Sequence, residues 1–190
     1  MASAPAAPLL LASTSPRRRQ ILEQLEVPFD VLAPPYEETE DDPVAHALGK
    51  ARSVLGEADG RPVLGCDTEV VCAGRVYGKP ARPEEAGEML ESLAGRTHEV
   101  VSGLALLTPA WEELHRAVTR VHFRELTARD IAAYVSSGEW EGRAGGYAIQ
   151  GRGAALVERI EGDYLNVVGL PVAILVRLLA ERFPGAYGFG

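Results

Sequence analysis

Hydrophobic and polar residues follow two rhythms along this chain, and the switches between them outline its elements. Leu9 to Ala12 is an unbroken apolar run of strand type, and Ile21, Leu22 and Leu25 follow it at helical spacing. Between them Ser15 suits a helix N-cap and Pro16 the first helical position. Phe29 to Leu32 reads as a second strand, stopped by Ala33-Pro34-Pro35. An acidic run from Glu37 to Asp42 follows, and Pro43 then opens a helix that turns Ala47, Leu48, Ala51 and Leu55 toward a core. Val63 to Cys72 is the strongest strand, and Ala73-Gly74 predicts a hairpin turn into Arg75-Val76-Tyr77. Pro83 to Leu93 predicts an amphipathic helix with Met89, Leu90 and Leu93 inside, ended by Gly95. Glu99 to Leu107 and Ala117 to Phe123 read as an antiparallel pair. The second of these places Ala117, Thr119, Val121 and Phe123 on one face. Thr127 caps a helix through Val135; residues 139–153 are rich in glycine; Leu156 to Ile160 is a strand and Pro171 to Arg182 the last helix.

Regular βαβ units are too few for a doubly wound sheet, so the expectation is an α/β fold with a mixed sheet flanked by helices. A chain of 190 residues with 46% hydrophobic residues can bury a core unaided. Residues 1–8, rich in Ala and Pro, are expected to be a disordered tail, and 9–190 a single domain. The net charge of −8 excludes a general basic surface for nucleic acid, but a small anion needs only a local pocket. Cys66 and Cys72 share one strand and have no Cys or His partners at zinc spacing, which fits a reduced, cytoplasmic protein. No secretory signal or membrane span is legible.

Three arginines stand where helix electrostatics least favour them. Arg17, Arg18 and Arg19 open the first helix, and a cation there opposes the positive end of the helix dipole at roughly 0.3–1 kcal/mol each. Free N–H groups of the helix start, guanidinium forks and the hydroxyls of Ser13, Thr14 and Ser15 together suit a phosphate group. The bland alternative is three solvated arginines on a surface helix.

In Val63 to Cys72 an acid sits mid-strand among apolar neighbours. Burying a carboxylate without a partner costs several kcal/mol, so Asp67 is expected to meet a cation, a metal or a set of N–H donors. It fits either a divalent-metal ligand or a proton acceptor for an attacking water. Gly78-Lys79-Pro80 fixes a loop around Lys79, one of only two lysines; the other, Lys50, lies on the helix after the acidic run. Within that run Glu38 is by default solvated, and a metal role requires it to reach Asp67. In Arg143 to Gly153 the glycines permit close backbone approach, and the Gln150 amide can bond the edge of a base. The histidines at 46, 98, 115 and 122 form no Ser/His/Asp or metal pattern and read as structural or surface groups.

In order, Ala12-Ser13-Thr14-Ser15-Pro16-Arg17-Arg18, Gly65-Cys66-Asp67-Thr68, Gly78-Lys79-Pro80 and Ala144-Gly145-Gly146-Tyr147-Ala148-Ile149-Gln150-Gly151 resemble the motifs of the Maf family of nucleoside triphosphate pyrophosphatases. Thr119 to Phe123 and Asn166 to Pro171 extend the likeness to nearly the whole chain. The resemblance implies a mixed-sheet fold of two lobes with a central cleft, like that of the inosine triphosphatases. It implies hydrolysis between the α and β phosphates with Mg²⁺ or Mn²⁺. Ser13, Arg17, Arg18, Lys50 and Lys79 would hold the triphosphate, Glu38 and Asp67 the metal, and Asp67 would accept a proton. The Tyr-x-Ile-Gln-Gly segment resembles the dTTP/UTP branch, with Arg17, Thr68 and Gln150 at the positions tied to base choice. A homodimer and a house-cleaning role on modified pyrimidine triphosphates are further implications. The alternatives are a 7-methyl-GTP or broad-range pyrophosphatase, or a nucleotide-binding division regulator that does not hydrolyse. Four residues depart from the family pattern: Gly142-Arg143 replaces Asp-Lys, Ala148 replaces Gly, and Glu69 replaces an apolar residue and adds a possible third metal carboxylate.

Overall fold

The computed structural model describes residues 7–37 and 42–190. Seven strands form one mixed sheet: β1 (Leu9–Ala12), β2 (Phe29–Leu32), β3 (Val63–Cys72), β4 (Arg75–Tyr77), β5 (Thr97–Thr108), β6 (Trp111–Phe123) and β7 (Val157–Glu161). Their order is β2-β1-β3-β5-β6-β7, with β4 paired to β3 beside this path. Among the described residues six α-helices accompany them: α1 (Pro16–Gln24), α2 (Pro43–Val54), α3 (Pro83–Leu93), α4 (Ala128–Val135), α5 (Tyr164–Val168) and α6 (Val172–Arg182). The chain clusters into two compact units, one of residues 1–67, 102–117 and 169–190, the other of 68–101 and 118–168.

In the first unit β1 is the parallel neighbour of both β2 and β3, with Leu11 opposite Val31 on one side and Leu64 on the other. All four β1 residues are buried, which is why the strand reads as a continuous apolar run. Helix α2 starts at the Asp42 cap, whose carboxylate accepts the Val44 N–H at 3.0 Å. It lays Ala47, Ala51 and Val54 into a cluster with Leu10, Ala12, Val63, Ala105 and Leu107. Two glycines set how close α2 lies to the sheet. A Cβ on Gly65 of β3 would stand 2.1 Å from the Ala47 carbonyl oxygen, and one on Gly103 of β5 would stand 2.0 Å from that of Pro43. Backbone therefore touches backbone at both points.

In the second unit the β3–β4 hairpin turns through Ala73 and Gly74, both at positive φ, as the sequence predicted. Helix α4 carries a reciprocal capping box between Thr127 and Asp130. The β6 strand begins at Trp111, six residues before the apolar alternation that announces it. These first residues of β6 belong to the first unit; Glu112, Leu114 and Arg116 face solvent and the other side carries Glu113 and His115, so neither side shows a strand's apolar alternation.

His98 lies in this unit's core, 1% exposed, its Nε2 2.7 Å from the Tyr147 hydroxyl and its ring edge-on to Phe123. Burial, aided by the charge of His122, pushes its pKa down to about 4, and its buried Nδ1 has no hydrogen-bond partner for a second proton. An unfolded histidine binds that proton near pH 6.5. The stabilisation from keeping His98 neutral is therefore fully present above pH 6.5 and lost as pH falls toward 4, a loss of up to about 3 kcal/mol. Denaturant midpoints measured from pH 7 to pH 4 should fall in the wild type, and the fall should be shallower in His98→Gln; parallel curves would remove His98 as the cause.

Candidate active site

The first unit places β1, α1, α2 and β3 so that four predicted residues meet in two pairs. At the end of β1 the chain turns through residues 13–15 into α1. Ser15 occupies the N-cap position, but its side chain makes no capping bond. Ser13 holds the turn instead: its buried hydroxyl oxygen accepts the Ser15 N–H at 3.2 Å and Arg18 Nη1–H at 3.1 Å. Arg18 Nε–H also donates to the Gly169 carbonyl at 2.9 Å. Arg18 is only 8% exposed, and these two neutral oxygens help to orient its guanidinium. Arg17 is half-buried and Arg19 exposed in the same first turn, which contains no acidic residue. The opposed helix dipole expected from the sequence is thus present.

The second pair joins α2 to β3. His46 and Lys50 are four residues apart and share one face of α2. Both reach Asp67: Lys50 Nζ stands 2.5 Å from Oδ1, and His46 Nδ1 stands 3.4 Å from Oδ2. The Asp67 and Lys50 side chains are 14% and 12% exposed. Burial raises the Asp67 carboxyl pKa, but the Lys50 charge and hydrogen bond, the Arg18 charge and the His46 hydrogen bond together outweigh it. The carboxyl is held below its usual range and is ionised at neutral pH. Asp67 thus has the cationic partner that its mid-strand position demanded. Gly65 is the local cause, since without the close approach it permits, α2 could not bring Lys50 and His46 onto β3.

His46 was read as structural or surface from the sequence, and its place beside Asp67 corrects that reading. The signal available was its i, i+4 relation to Lys50; what was missing was the direction in which Asp67 leaves β3. Glu69, two residues further along, lies on the same face of that strand, with a carboxylate oxygen within 4.8 Å of one of Asp67. Two carboxylates and an imidazole, whose Nε2 is buried without a hydrogen-bond partner, form a donor set that suits a divalent cation. Glu38 lies outside the described residues. Thr68 follows Asp67 on β3 and points to the strand's other face.

The remaining predicted residues belong to the second unit. Lys79 is exposed in the loop between β4 and α3. Gly145 N–H donates to the Gly78 carbonyl at 3.0 Å and ties this loop to the glycine-rich segment 144–153. That segment is firmly built. Ala148 N–H donates to the Tyr134 hydroxyl at 2.9 Å, and the Glu139 carboxylate accepts the Arg152 N–H at 2.9 Å. Gln150 stands exposed between these two anchors. Both cysteines are free and buried, and among the described residues no helix is long and apolar enough to cross a membrane.

The sequence model described as "Maf-like protein" matches residues 8–182. A dTTP/UTP pyrophosphatase from Gloeobacter violaceus is 50% identical over 181 residues, covering 91% of this chain and 95% of that protein. Its counterpart in Moorella thermoacetica is 49% identical over 181 residues, covering 90% and 93%. The enzyme of that name in Deinococcus radiodurans is 41% identical over 186 residues, covering 95% of each. Among solved structures, the Staphylococcus aureus Ham1 protein matches 62% of this chain and 72% of its own with a TM-score of 0.47 at 14% identity.

Proposed function

The chain belongs to the Maf family, and from that premise we propose that it hydrolyses nucleoside triphosphates, dTTP and UTP above others, to the monophosphate and pyrophosphate. The observation that carries this reading is the ionised Asp67, buried on β3 between Lys50 and His46 with the Arg18 charge nearby. A receptor for phosphate alone has use for the cations and none for a carboxylate among them. A hydrolase needs both.

Ser13, Arg17, Arg18, Lys50 and Lys79 are assigned to the triphosphate. Arg18, already oriented by Ser13 and Gly169, offers a charge that costs little further ordering when a phosphate arrives. Lys50 neutralises Asp67 in the free protein and is the cation that a phosphate oxygen would draw upon. Asp67 is assigned two roles that its ionised state permits: to hold a divalent cation, together with Glu38 and with support from Glu69 and His46, and to accept the proton of the attacking water. A Mg²⁺ or Mn²⁺ ion bound there would offset phosphate charge and acidify a water molecule. The water oxygen forms a bond to phosphorus as the bridging α–β bond breaks, and the pyrophosphate leaves carrying the developing charge.

Base choice is assigned to Gln150, with Arg17 and Thr68. The amide is exposed on a segment anchored at Ala148 and Arg152, so a pyrimidine edge would meet a donor and an acceptor at a fixed position. The cytoplasm and a homodimeric state complete the proposal; two free thiols suit a reducing compartment. The test is a nucleotide panel with product analysis. The dTTP and UTP values of kcat/KM should exceed those of ATP, GTP and CTP by tenfold or more, with monophosphate and pyrophosphate as products; equal rates across the panel contradict base selection. Gln150→Glu should reorder that panel while changing the KM of the preferred triphosphate by only a few fold, and an unchanged ranking would remove Gln150 from base recognition.

A further inference from the structure

Gln150 holds the N-cap position of a short 3₁₀ helix, Gly151–Leu156, yet its side chain makes no capping bond. The first N–H groups of a helical turn have no partner within it and need an acceptor from elsewhere. Here that acceptor lies outside the segment. The Glu139 carboxylate accepts the Arg152 N–H through both oxygens, at 2.9 and 3.1 Å, and the Gly153 N–H at a long 3.4 Å. A carboxylate on backbone N–H groups makes one of the stronger kinds of hydrogen bond, and it suits the positive end of a helical turn.

Glu139 is itself fixed by its neighbours. Its N–H donates to the Ser137 hydroxyl at 3.3 Å, and the adjacent Trp140 is buried with its Nε1–H on the Val135 carbonyl at 3.0 Å. The segment it braces closes on itself: a Cβ on Gly153 would stand 1.8 Å from the Ala148 carbonyl oxygen, so backbone meets backbone there. At the other end the hydroxyl of buried Tyr134 accepts the Ala148 N–H at 2.9 Å. Gln150 is thus an exposed residue on a loop held at both ends, and the helix start makes no use of its amide.

We propose that Glu139 is a positioning residue for base choice: its carboxylate caps the 3₁₀ helix in place of Gln150 and so leaves the Gln150 amide for the edge of the substrate's base. The inference rests on the reading of Gln150 as the base-recognition residue and adds the group that keeps it available. Without the carboxylate, the Arg152 and Gly153 N–H groups need another acceptor. The Gln150 side-chain oxygen, at the N-cap, is the local replacement. Gln150 then turns back onto its own helix start, and the pyrimidine edge loses its partner.

The test is a double-mutant cycle on the full chain, read as the ratio of kcat/KM for UTP to that for ATP, at a temperature where circular dichroism shows each variant folded. Glu139→Ala should lower this ratio roughly fivefold or more through the UTP value, with the ATP value changed less than about twofold. Glu139→Gln, which keeps one acceptor oxygen, should lower it less. In a Gln150→Ala background Glu139→Ala should lower the ratio no further, because no amide is left to misplace. Equal losses for UTP and ATP, or a ratio that falls by the same factor with and without Gln150, would make Glu139 a purely structural group and overturn the proposal. Should Glu139→Ala not fold, Glu139→Gln carries the same cycle, and an unchanged ratio there overturns the proposal. A wild type that does not prefer UTP to ATP removes base selection and this inference with it. A selective wild type whose ratio survives Glu139→Ala removes this inference alone.

Discussion

Asp67→Asn should reduce turnover of UTP and dTTP by roughly 10²–10⁴-fold, the range lost when a positioned proton acceptor is removed. Asparagine keeps the shape of the side chain and can still accept a hydrogen bond from Lys50, now 2.5 Å from Oδ1. It can neither take a proton from water nor serve as an anionic metal ligand. Nucleotide affinity should change much less, since the cations assigned to the triphosphate are all retained. Loss of the carboxylate also removes a charged partner of Lys50, which is 12% exposed, so the variant should be somewhat less stable than the wild type. That effect is separable: a triphosphate that still raises the melting temperature of Asp67→Asn demonstrates a folded, binding-competent protein. Unchanged turnover in such a sample would remove Asp67 from the chemistry.

The largest effect on stability is expected from Gly65→Ala. The added Cβ would lie 2.1 Å from the Ala47 carbonyl oxygen and 2.9 Å from Ala51 Cβ. The first contact is with backbone of a helix interior, which cannot turn aside as a flexible side-chain end can. Helix α2 must therefore move off the sheet, opening the packing of Ala47, Ala51 and Val54 against Leu10, Val63 and Leu107. The cost is about 3 kcal/mol or more, at the upper end of overpacking penalties. The same movement withdraws His46 and Lys50 from Asp67, so activity should fall even where the variant remains folded. Equilibrium unfolding in urea measures the first effect, and turnover under conditions where the protein is fully folded measures the second. A stability change below about 0.5 kcal/mol would contradict the tight backbone contact.

What could be read from the sequence divides along physical lines. Mid-strand Asp67 was legible because a carboxylate among apolar neighbours is costly on any fold, and the cation that must offset it could be expected without being identified. Its partners were not legible. Lys50 and His46 lie 17 and 21 residues away on another element, and their shared helix face gave no indication of which strand residue it would meet. Ser15 illustrates the reverse case: its capping position was correct, yet the bond that holds the turn comes from Ser13, chosen by the tertiary placement of Arg18. The first half of β6 escaped notice because charged residues, Glu112, Glu113 and Arg116, lie on both its sides, and such a strand resembles loop composition.

The most direct measurement is pyrophosphate released from UTP and dTTP by the purified chain, in Mg²⁺ and again after chelation. The proposed function predicts one pyrophosphate for each monophosphate formed, a rate that collapses on chelation, and recovery when Mg²⁺ or Mn²⁺ is restored. Release of orthophosphate with a nucleoside diphosphate, or no turnover of either nucleotide with metal present, would contradict it.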